Sequence, residues 1–374
     1  MRDSMAKIAI ETMARKAIRD IRETPESSMR NIVEMAQQFS NGRFQKKFFE
    51  IIHRMLEDET SGYYAMVSDT ARHVDPERLL NFGMNLGYNS CMTGADKIRT
   101  WEKNFGYNVP WNICLDIGRD SMQKYLKSYY RIIRECEEMG IYTCMLFMEQ
   151  YERDVFLMIR EYPDSAFFVF CRAEAVTEEF LDDIQSLNNV MILLRYDEAA
   201  GRACGRLREE GQLYGCYYPY GEEDAEKICS GDLFYGMQQL HPVISVMVSE
   251  KGCPEHIRQR IYRTVCEARS SQEYRTLLWE LYGDNCYVDR IISEDDCCVS
   301  FDQDGNLCAV SVGTSTVNVN VFRDSLQNIL SQAFLKKQAA AGTLSGESNT
   351  PLQATGYQVC NAAEQNVSYG HIGI

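Results

Sequence analysis

The stretch AFFVFCRAEAVTEEFLDDIQSLNNVMILLR, residues 166–195, contains the pattern that decides the fold. Two apolar runs within it, Ala166–Cys171 and Val190–Arg195, have the length of strands that are buried on both faces. Between them, Thr177 is followed by two glutamates, which is typical of an N-cap and the acidic first turn of a helix. A strand, a helix and a second buried strand in this order predict a β/α unit of a parallel sheet.

The same alternation of apolar runs and amphipathic helices extends along the chain in both directions. The further strand candidates are Trp111–Ile117, Ile141–Met148, Leu213–Tyr218 and Val243–Val248. Short buried strands that are separated by helices predict a parallel sheet covered on both faces, or a barrel.

The two ends of the chain follow other patterns. Residues 1–106 show helical periodicity, including helices near residues 29–39 and 44–56, and are predicted to form an all-helical N-terminal domain. In residues 284–337 the loop Asp302–Asn306 predicts a hairpin, which a helix follows. Residues 338–374 are rich in small and polar residues and are predicted to be disordered. These borders leave residues 107–283 for the sheet or barrel.

The composition excludes several classes of protein. Hydrophobic residues make up 45% of the chain and charged residues 25%, which is ordinary for a globular protein. A net charge of −15 argues against nonspecific binding to nucleic acid or to anionic membranes. Because no run of 18 apolar residues and no secretory segment occurs, we expect a cytoplasmic protein with no membrane partner. None of the fifteen cysteines forms a C-x-x-C pair, so most are expected to be free and buried.

Three segments carry a resemblance to a known family. Tyr107–Asp116 (YNVPWNICLD) resembles the entry to the first barrel strand of radical S-adenosylmethionine (radical SAM) proteins. Ala166–Phe180 resembles their third strand and its helix. Asp302–Asn306, followed by Val319–Leu330, resembles the hairpin and closing helix of their SPASM-type C-terminal region. The resemblance extends over most of residues 10–335. It implies an α/β fold with a partial (β/α)6-type barrel, preceded by the helical domain and followed by a small hairpin-helix cap.

The chain departs from this family at the strand ends. Radical SAM enzymes carry C-x-x-x-C-x-x-C after the first strand, where three thiolates hold a 4Fe-4S cluster, but no cysteine lies between Cys114 and Cys136 here. The second strand ends in Glu149 without the family's two glycines, and the third in Arg172 instead of the family's Thr-Asn-Gly. The fourth strand lacks its acidic end, at Arg195. Since chemistry in such sheets and barrels takes place at these ends, the departures predict a retained fold without its catalytic residues.

We therefore interpret the chain as a catalytically degenerate radical-SAM-fold protein, a pseudoenzyme that acts by binding. Its expected partner is a full-length, active radical SAM relative, which it would regulate, or a peptide substrate, and no cofactor is expected. Whether the chain is an enzyme stays open, although the missing cysteines favour a non-catalytic role.

Two alternatives remain. One is an active radical SAM-type enzyme that binds S-adenosylmethionine and holds a 4Fe-4S cluster through cysteines outside the motif. The candidate ligands for that cluster are Cys286, Cys297, Cys298 and Cys308. The other alternative is a barrel protein that binds a small anion.

The candidate ligand-binding residues are Glu149, Arg172, Arg195, Tyr218 and His241, while no catalytic residue and no metal site are predicted. The first three end neighbouring predicted strands at one edge of the sheet, so they are expected to line the space left by the missing cluster. Two guanidinium groups beside one carboxylate would favour a small anion, or an acidic segment of a partner. The simpler interpretation is that Glu149 forms an ion pair with one of the two arginines, and that Tyr218 and His241 have structural roles.

Overall fold

The computed structural model describes residues 2–21, 60–293, 295–309 and 319–334, together with residues 27, 28, 30, 31, 34 and 58. The helix predicted near residues 44–56 and the tail 338–374 lie outside these residues, as does most of the helix predicted near residues 29–39.

The described chain alternates helices and strands from residue 112 onward, after a run of helices. The helices are α1 (Arg2–Ile21), α2 (Gly62–His73), α3 (Pro76–Met84), a π-helix (Asn85–Gly94), α4 (Ala95–Phe105), α5 (Arg119–Met139), α6 (Arg153–Glu161), α7 (Glu178–Ile184), α8 (Ala200–Glu209), α9 (Ala225–Cys229), α10 (Asp232–Gln238), α11 (Glu255–Ser271), α12 (Leu281–Ser293) and α13 (Leu326–Ala333), with short 3-10 turns at Ala173–Ala175 and Glu222–Asp224. The strands are β1 (Asn112–Ile117), β2 (Thr143–Met148), β3 (Ala166–Cys171), β4 (Val190–Arg195), β5 (Tyr214–Tyr220), β6 (Ile244–Ser249), β7 (Leu277–Glu280), β8 (Val299–Phe301) and β9 (Leu307–Ala309). None of these helices combines the length and the apolar character that crossing a bilayer requires.

All nine strands belong to one curled sheet, in the order β7-β6-β5-β4-β3-β2-β1-β8-β9. The pairs from β7 to β8 are parallel, and β9 runs antiparallel to β8. Strands β1 to β7 lie in sequence order, each joined to the next by at least one helix, as expected for successive β/α units. The predicted α/β fold with a partial barrel is confirmed.

The two faces of the sheet are covered by different helices. On the outer face, Sγ of Cys204 in α8 lies 3.9 Å from Sγ of Cys216 in β5. On the inner face, the amide of Asn285 in α12 donates to the sulfur of Met145 in β2, at 3.6 Å. Because strand side chains alternate between faces, the residues that neighbour Cys216 in β5 point inward.

The helices that precede the sheet close the amino ends of its strands. Arg78 of α3 is 3% exposed and donates to the carbonyl groups of Gln185, Leu187 and Gly211, at 2.9, 3.1 and 2.8 Å. These carbonyls lie in the loops that lead into β4 and β5. Asn85, at the start of the π-helix, donates to two carbonyls of the loop before β3. A cavity that is open to solvent can therefore form at the carboxyl ends of the strands.

The C-terminal hairpin continues the barrel sheet, although the sequence pattern suggested a separate cap. Val299 of β8 pairs with Ile113 of β1, and β9 follows as the edge strand. The border expected at residues 283/284 falls within α12. Sequence patterning missed this helix, because it is buried on most of its surface and contains Gly283 and several Asp and Asn residues, which are weak helix formers.

Candidate functional site

A cavity of about 450 Å³ opens at the carboxyl ends of β1 and β2. Its walls belong to the end of β1, the start of α5, the segment after β2 and the turn between β8 and β9. The residues that line it are Ile117, Gly118, Arg119, Asp120, Ser121, Lys124, Tyr125, Glu149, Gln150, Glu152, Gln303 and Asp304. We call it the mouth cavity. Its volume is within the range of about 300–1,000 Å³ that is typical of small-molecule sites.

The first strand and its helix are joined by a single residue at this cavity. β1 ends at Ile117, α5 begins at Arg119, and Gly118 alone connects them. A Cβ atom at Gly118 would lie 2.5 Å from Oε1 of Gln303, so the hairpin side chain packs directly over the junction. The hydroxyl of Ser121 donates to the carbonyl of Gly118 at 2.9 Å and accepts from its N–H at 3.2 Å, which fixes the turn into α5.

Acidic side chains surround this junction. Nε2 of Gln303 donates to Oδ1 of Asp116 at 3.2 Å. Burial raises the pKa of Asp116, and the nearby carboxylates of Glu149 and Asp302 raise it further, while the bond from Gln303 opposes the rise. The end of β1 is therefore a region of negative potential that one amide group partly offsets.

Some of the charged side chains of the cavity wall have a partner, and others do not. Nε of Arg119 donates to Glu152 at 2.6 Å, and Nζ of Lys124 lies 4.8 Å from the centre of the Tyr125 ring. Glu149 is exposed and forms no hydrogen bond or ion pair within the described part of the chain. The wall carries four carboxylates and two basic groups, an excess of two negative charges.

The predicted group of Glu149, Arg172 and Arg195 does not come together in the mouth cavity. Glu149 lines it, whereas neither arginine does. Both arginines lie instead near Tyr217 of β5: burial raises the pKa of Tyr217 to about 12, and the two guanidinium groups oppose the rise. The structure thus separates the predicted residues into an acidic region at β1–β2 and a basic region at β3–β4.

The other two candidates lie away from the cavity wall. The hydroxyl of Tyr218 donates to Oδ1 of Asp224 at 2.7 Å, and its position in β5 places it on the outer face. His241 precedes β6, near the amino ends of the strands, with Nδ1 3.7 Å from Oδ2 of Asp69. The carboxylate of Asp69 also accepts two bonds from Arg208. Neither candidate therefore joins Glu149.

The four candidate cluster cysteines occupy separate environments. Cys286 and Cys298 lie in contact inside the barrel, with 3.2 Å between their sulfurs. Cys297 is fully buried, with its sulfur 4.0 Å from the carbonyl of Asp295, while Cys308 is exposed. Among the residues that the structure describes, no group of three or more His, Cys, Asp or Glu side chains is arranged to hold a metal ion.

The junction of β1 and α5 does not fit an iron–sulfur cluster either. A connection of one residue offers no thiol, and the side chain of Gln303 occupies the space next to Gly118. Three thiolates are what such a cluster requires.

The sequence-based search named Glu149 but missed Asp116, Gly118, Lys124 and Gln303. Asp116 could have been found, since it is the polar residue near the end of an apolar strand, where sites in α/β folds gather. No sequence signal brings Gln303 to the same place, because it lies 187 positions from Asp116.

The chain matches no protein-family model and no curated protein sequence. Among solved structures it is similar to SuiB of Streptococcus suis, a radical SAM enzyme. The identity is 10% and the TM-score 0.46, over 79% of this chain and 78% of that one. SuiB bound to S-adenosylmethionine gives 11% and 0.47, over 70% of each chain, and SuiB bound to its precursor peptide SuiA gives 11% and 0.46, over 70% and 71%. These are distant likenesses of fold, which assign no activity to this chain.

The prediction that no cofactor is expected was wrong. One of the similar structures, SuiB, was determined with S-adenosylmethionine bound.

Proposed function

We propose that this chain binds a small molecule with a cationic centre in the mouth cavity, and that S-adenosylmethionine is the first candidate. The observation that carries the proposal is the excess of two negative charges on the cavity wall. S-adenosylmethionine has a positive sulfonium, a positive ammonium and one carboxylate, so its net charge is opposite to that of the wall. A concave site lined with one sign of charge concentrates ligands of the other sign.

Glu149 is the residue that we expect to contact the cationic centre. It directly follows β2, lines the cavity and has no hydrogen-bonding or ion-pair partner within the described residues. Asp116 lies behind it, held by Gln303, and adds negative potential without reaching the wall itself. Arg119 and Glu152 pair with each other and largely cancel.

A role in binding, without cluster chemistry at the first strand, is supported by the junction of β1 and α5. Gly118 is the whole connection, and it carries no ligand for a metal. We therefore propose a non-catalytic member of the radical SAM fold, in which the bound molecule stabilises one arrangement of the mouth for a peptide or protein partner.

The test is a comparison of two ligands that differ in one charge. S-adenosylhomocysteine lacks the transferable methyl group and hence the sulfonium charge. Equilibrium dialysis of the purified protein should give a tighter Kd for S-adenosylmethionine, and Glu149→Gln should weaken that binding about tenfold, which corresponds to about 1.4 kcal/mol. The matched control is Glu250→Gln, an exposed carboxylate at the end of β6 that does not line the cavity.

Three results would contradict the proposal. One is the absence of S-adenosylmethionine binding at millimolar ligand. Another is equal affinity for the two ligands at low salt, where the attraction of charges is least screened. The third is an equal loss of affinity in Glu149→Gln and Glu250→Gln, which would show that the total charge of the chain matters and not its position.

A second candidate function is carried by Arg172 and Arg195. These side chains lie close to the same tyrosine, and neither forms a hydrogen bond or ion pair within the described residues. Two unpaired guanidinium groups in a chain with a net charge of −15 suit an acidic segment of a peptide or partner protein. Fluorescence anisotropy with a labelled Glu-rich peptide should show binding that Arg172→Ala and Arg195→Ala both weaken and that Glu149→Gln leaves unchanged. Binding that both arginine variants retain would exclude this role.

A further inference from the structure

Two cysteines from different elements face each other in the interior of the barrel. Cys286 lies in α12 and Cys298 immediately precedes β8, and their sulfurs are 3.2 Å apart. They are 1% and 6% exposed and pack in one cluster with Tyr282. A disulfide has a sulfur–sulfur bond of about 2.05 Å, so the two sulfurs would approach by only about 1 Å to form one.

The adjacent Cys297 does not belong to this pair. The sulfur of Cys297 lies 4.0 Å from the carbonyl of Asp295, and its thiol also interacts with Ser293 and with the carboxylate of Asp289. The thiol of Cys298 also lies 3.3 Å from Oδ2 of Asp289 in α12. When that thiol donates to the carboxylate, lone pairs of its sulfur face Cys286. Cys298 therefore lies in sulfur contact with Cys286, whereas the hydrogen-bonding contacts of Cys297 within the described residues are to oxygen atoms.

We propose that Cys286 and Cys298 are an oxidisable thiol pair, which hydrogen peroxide converts to a disulfide between α12 and β8. The sulfur of Cys298 attacks one peroxide oxygen, the O–O bond breaks, and a sulfenic acid and one water form. The sulfur of Cys286 then attacks the sulfenic sulfur, the S–O bond breaks, and a second water leaves with the thiol proton. In total, two thiols and one peroxide give one disulfide and two waters.

Cys298 is the first to react, since it is the more exposed of the two and borders a cavity of about 10 Å³. That space is about the size of one water molecule, so peroxide must enter through local opening of the structure. Oxidation is therefore slower than at an exposed thiol, and it is confined to this pair by proximity.

The new bond would connect the helix that fills the barrel to its sheet. α12 already contacts the sheet through Asp289, which accepts the N–H of Trp111 at 2.9 Å just before β1 begins. A bond from residue 286 to residue 298 closes a short loop and reduces the freedom of the unfolded chain. The oxidised protein should therefore melt several degrees above the reduced protein.

The experiment is peroxide treatment of the full-length protein, followed by alkylation of the remaining thiols and peptide mapping by mass spectrometry. We expect a cross-linked peptide that contains Cys286 and Cys298, lighter by two hydrogens than the sum of its parts and separated by dithiothreitol. The matched internal control is the buried pair Cys204 and Cys216, whose sulfurs are 3.9 Å apart and which contact no carboxylate within the described part of the chain. This pair should cross-link at least fivefold more slowly.

Cys286→Ser should abolish the cross-link and leave Cys298 as a sulfenic acid that dimedone traps. It should also remove the rise in melting temperature. If this variant does not fold, the mapping and melting of the unmodified chain still decide the question. A folded protein that forms no bond between these two residues, one that forms it no faster than the control pair, or one that joins Cys286 to Cys297 would overturn the proposal.

Discussion

Replacement of Arg78 by methionine tests how the N-terminal helices are held to the barrel. The side chain is 3% exposed and donates to three carbonyl groups of the loops before β4 and β5. One of these carbonyls, of Gly211, also accepts the N–H of Asp75 and would keep a partner, while those of Gln185 and Leu187 would lose theirs. An unsatisfied buried carbonyl costs about 1–3 kcal/mol, and methionine recovers part of this by apolar burial. We expect the free energy of unfolding to fall by about 3 kcal/mol in the methionine variant.

Urea unfolding, followed by circular dichroism, measures this loss. With an m-value of about 3 kcal/mol per M, the midpoint should fall by about 1 M. Arg72→Met is the matched control, because Arg72 is exposed near the end of α2 and should shift stability by less than about 0.5 kcal/mol. Equal midpoints for the two variants would refute the inference that Arg78 fastens the helices to the sheet.

Three further substitutions test separate features of the protein. Gly118→Ala should displace the side chain of Gln303 from Asp116, since the new Cβ would lie 2.5 Å from Oε1 of Gln303. The unfolding free energy should stay within about 1 kcal/mol of that of the unmodified protein, while the affinity for S-adenosylmethionine changes. Unchanged affinity would contradict the role of the junction. Asp75→Ala removes the side-chain acceptor for two N–H groups at the start of α3 and should cost about 1 kcal/mol in urea unfolding. Burial raises the pKa of Glu280 from 4.5 to about 7, so the folded state holds a proton that the unfolded state releases, and stability should fall as the pH rises from about 4.5 to 7. In Glu280→Gln, the melting temperature should fall less between pH 4.5 and 7 than in the unmodified protein. Identical pH profiles for the two proteins would contradict this prediction.

The strands of the barrel could be predicted from the sequence because they are buried on both faces. Ala166–Cys171 and Val190–Arg195 are continuous apolar runs, and the structure begins and ends β3 and β4 at the same residues. The helix α12 could not be predicted in this way. Most of its surface is buried and Gly283 lies within its first turn, so it shows neither an amphipathic stripe nor a strong helix propensity.

The candidate site was only partly predictable for a different reason. Sequence placed Glu149 at the carboxyl end of a strand, and the structure puts it in the mouth cavity. Whether Arg172 and Arg195 share that cavity depends on the curl of the sheet and on the turn between β8 and β9, which packs against the end of β1. That turn is brought there by pairing between distant segments, which no local pattern specifies.

The acidic mouth cavity is the site that we propose for S-adenosylmethionine or a similar cationic molecule. The most direct measurement is a crystal structure with Se-adenosylselenomethionine, whose selenium replaces the sulfonium sulfur and gives an anomalous signal. We predict one selenium peak inside the mouth cavity, next to the carboxylate of Glu149. A peak beside Arg172 and Arg195, or no peak in crystals soaked at millimolar ligand, would contradict it.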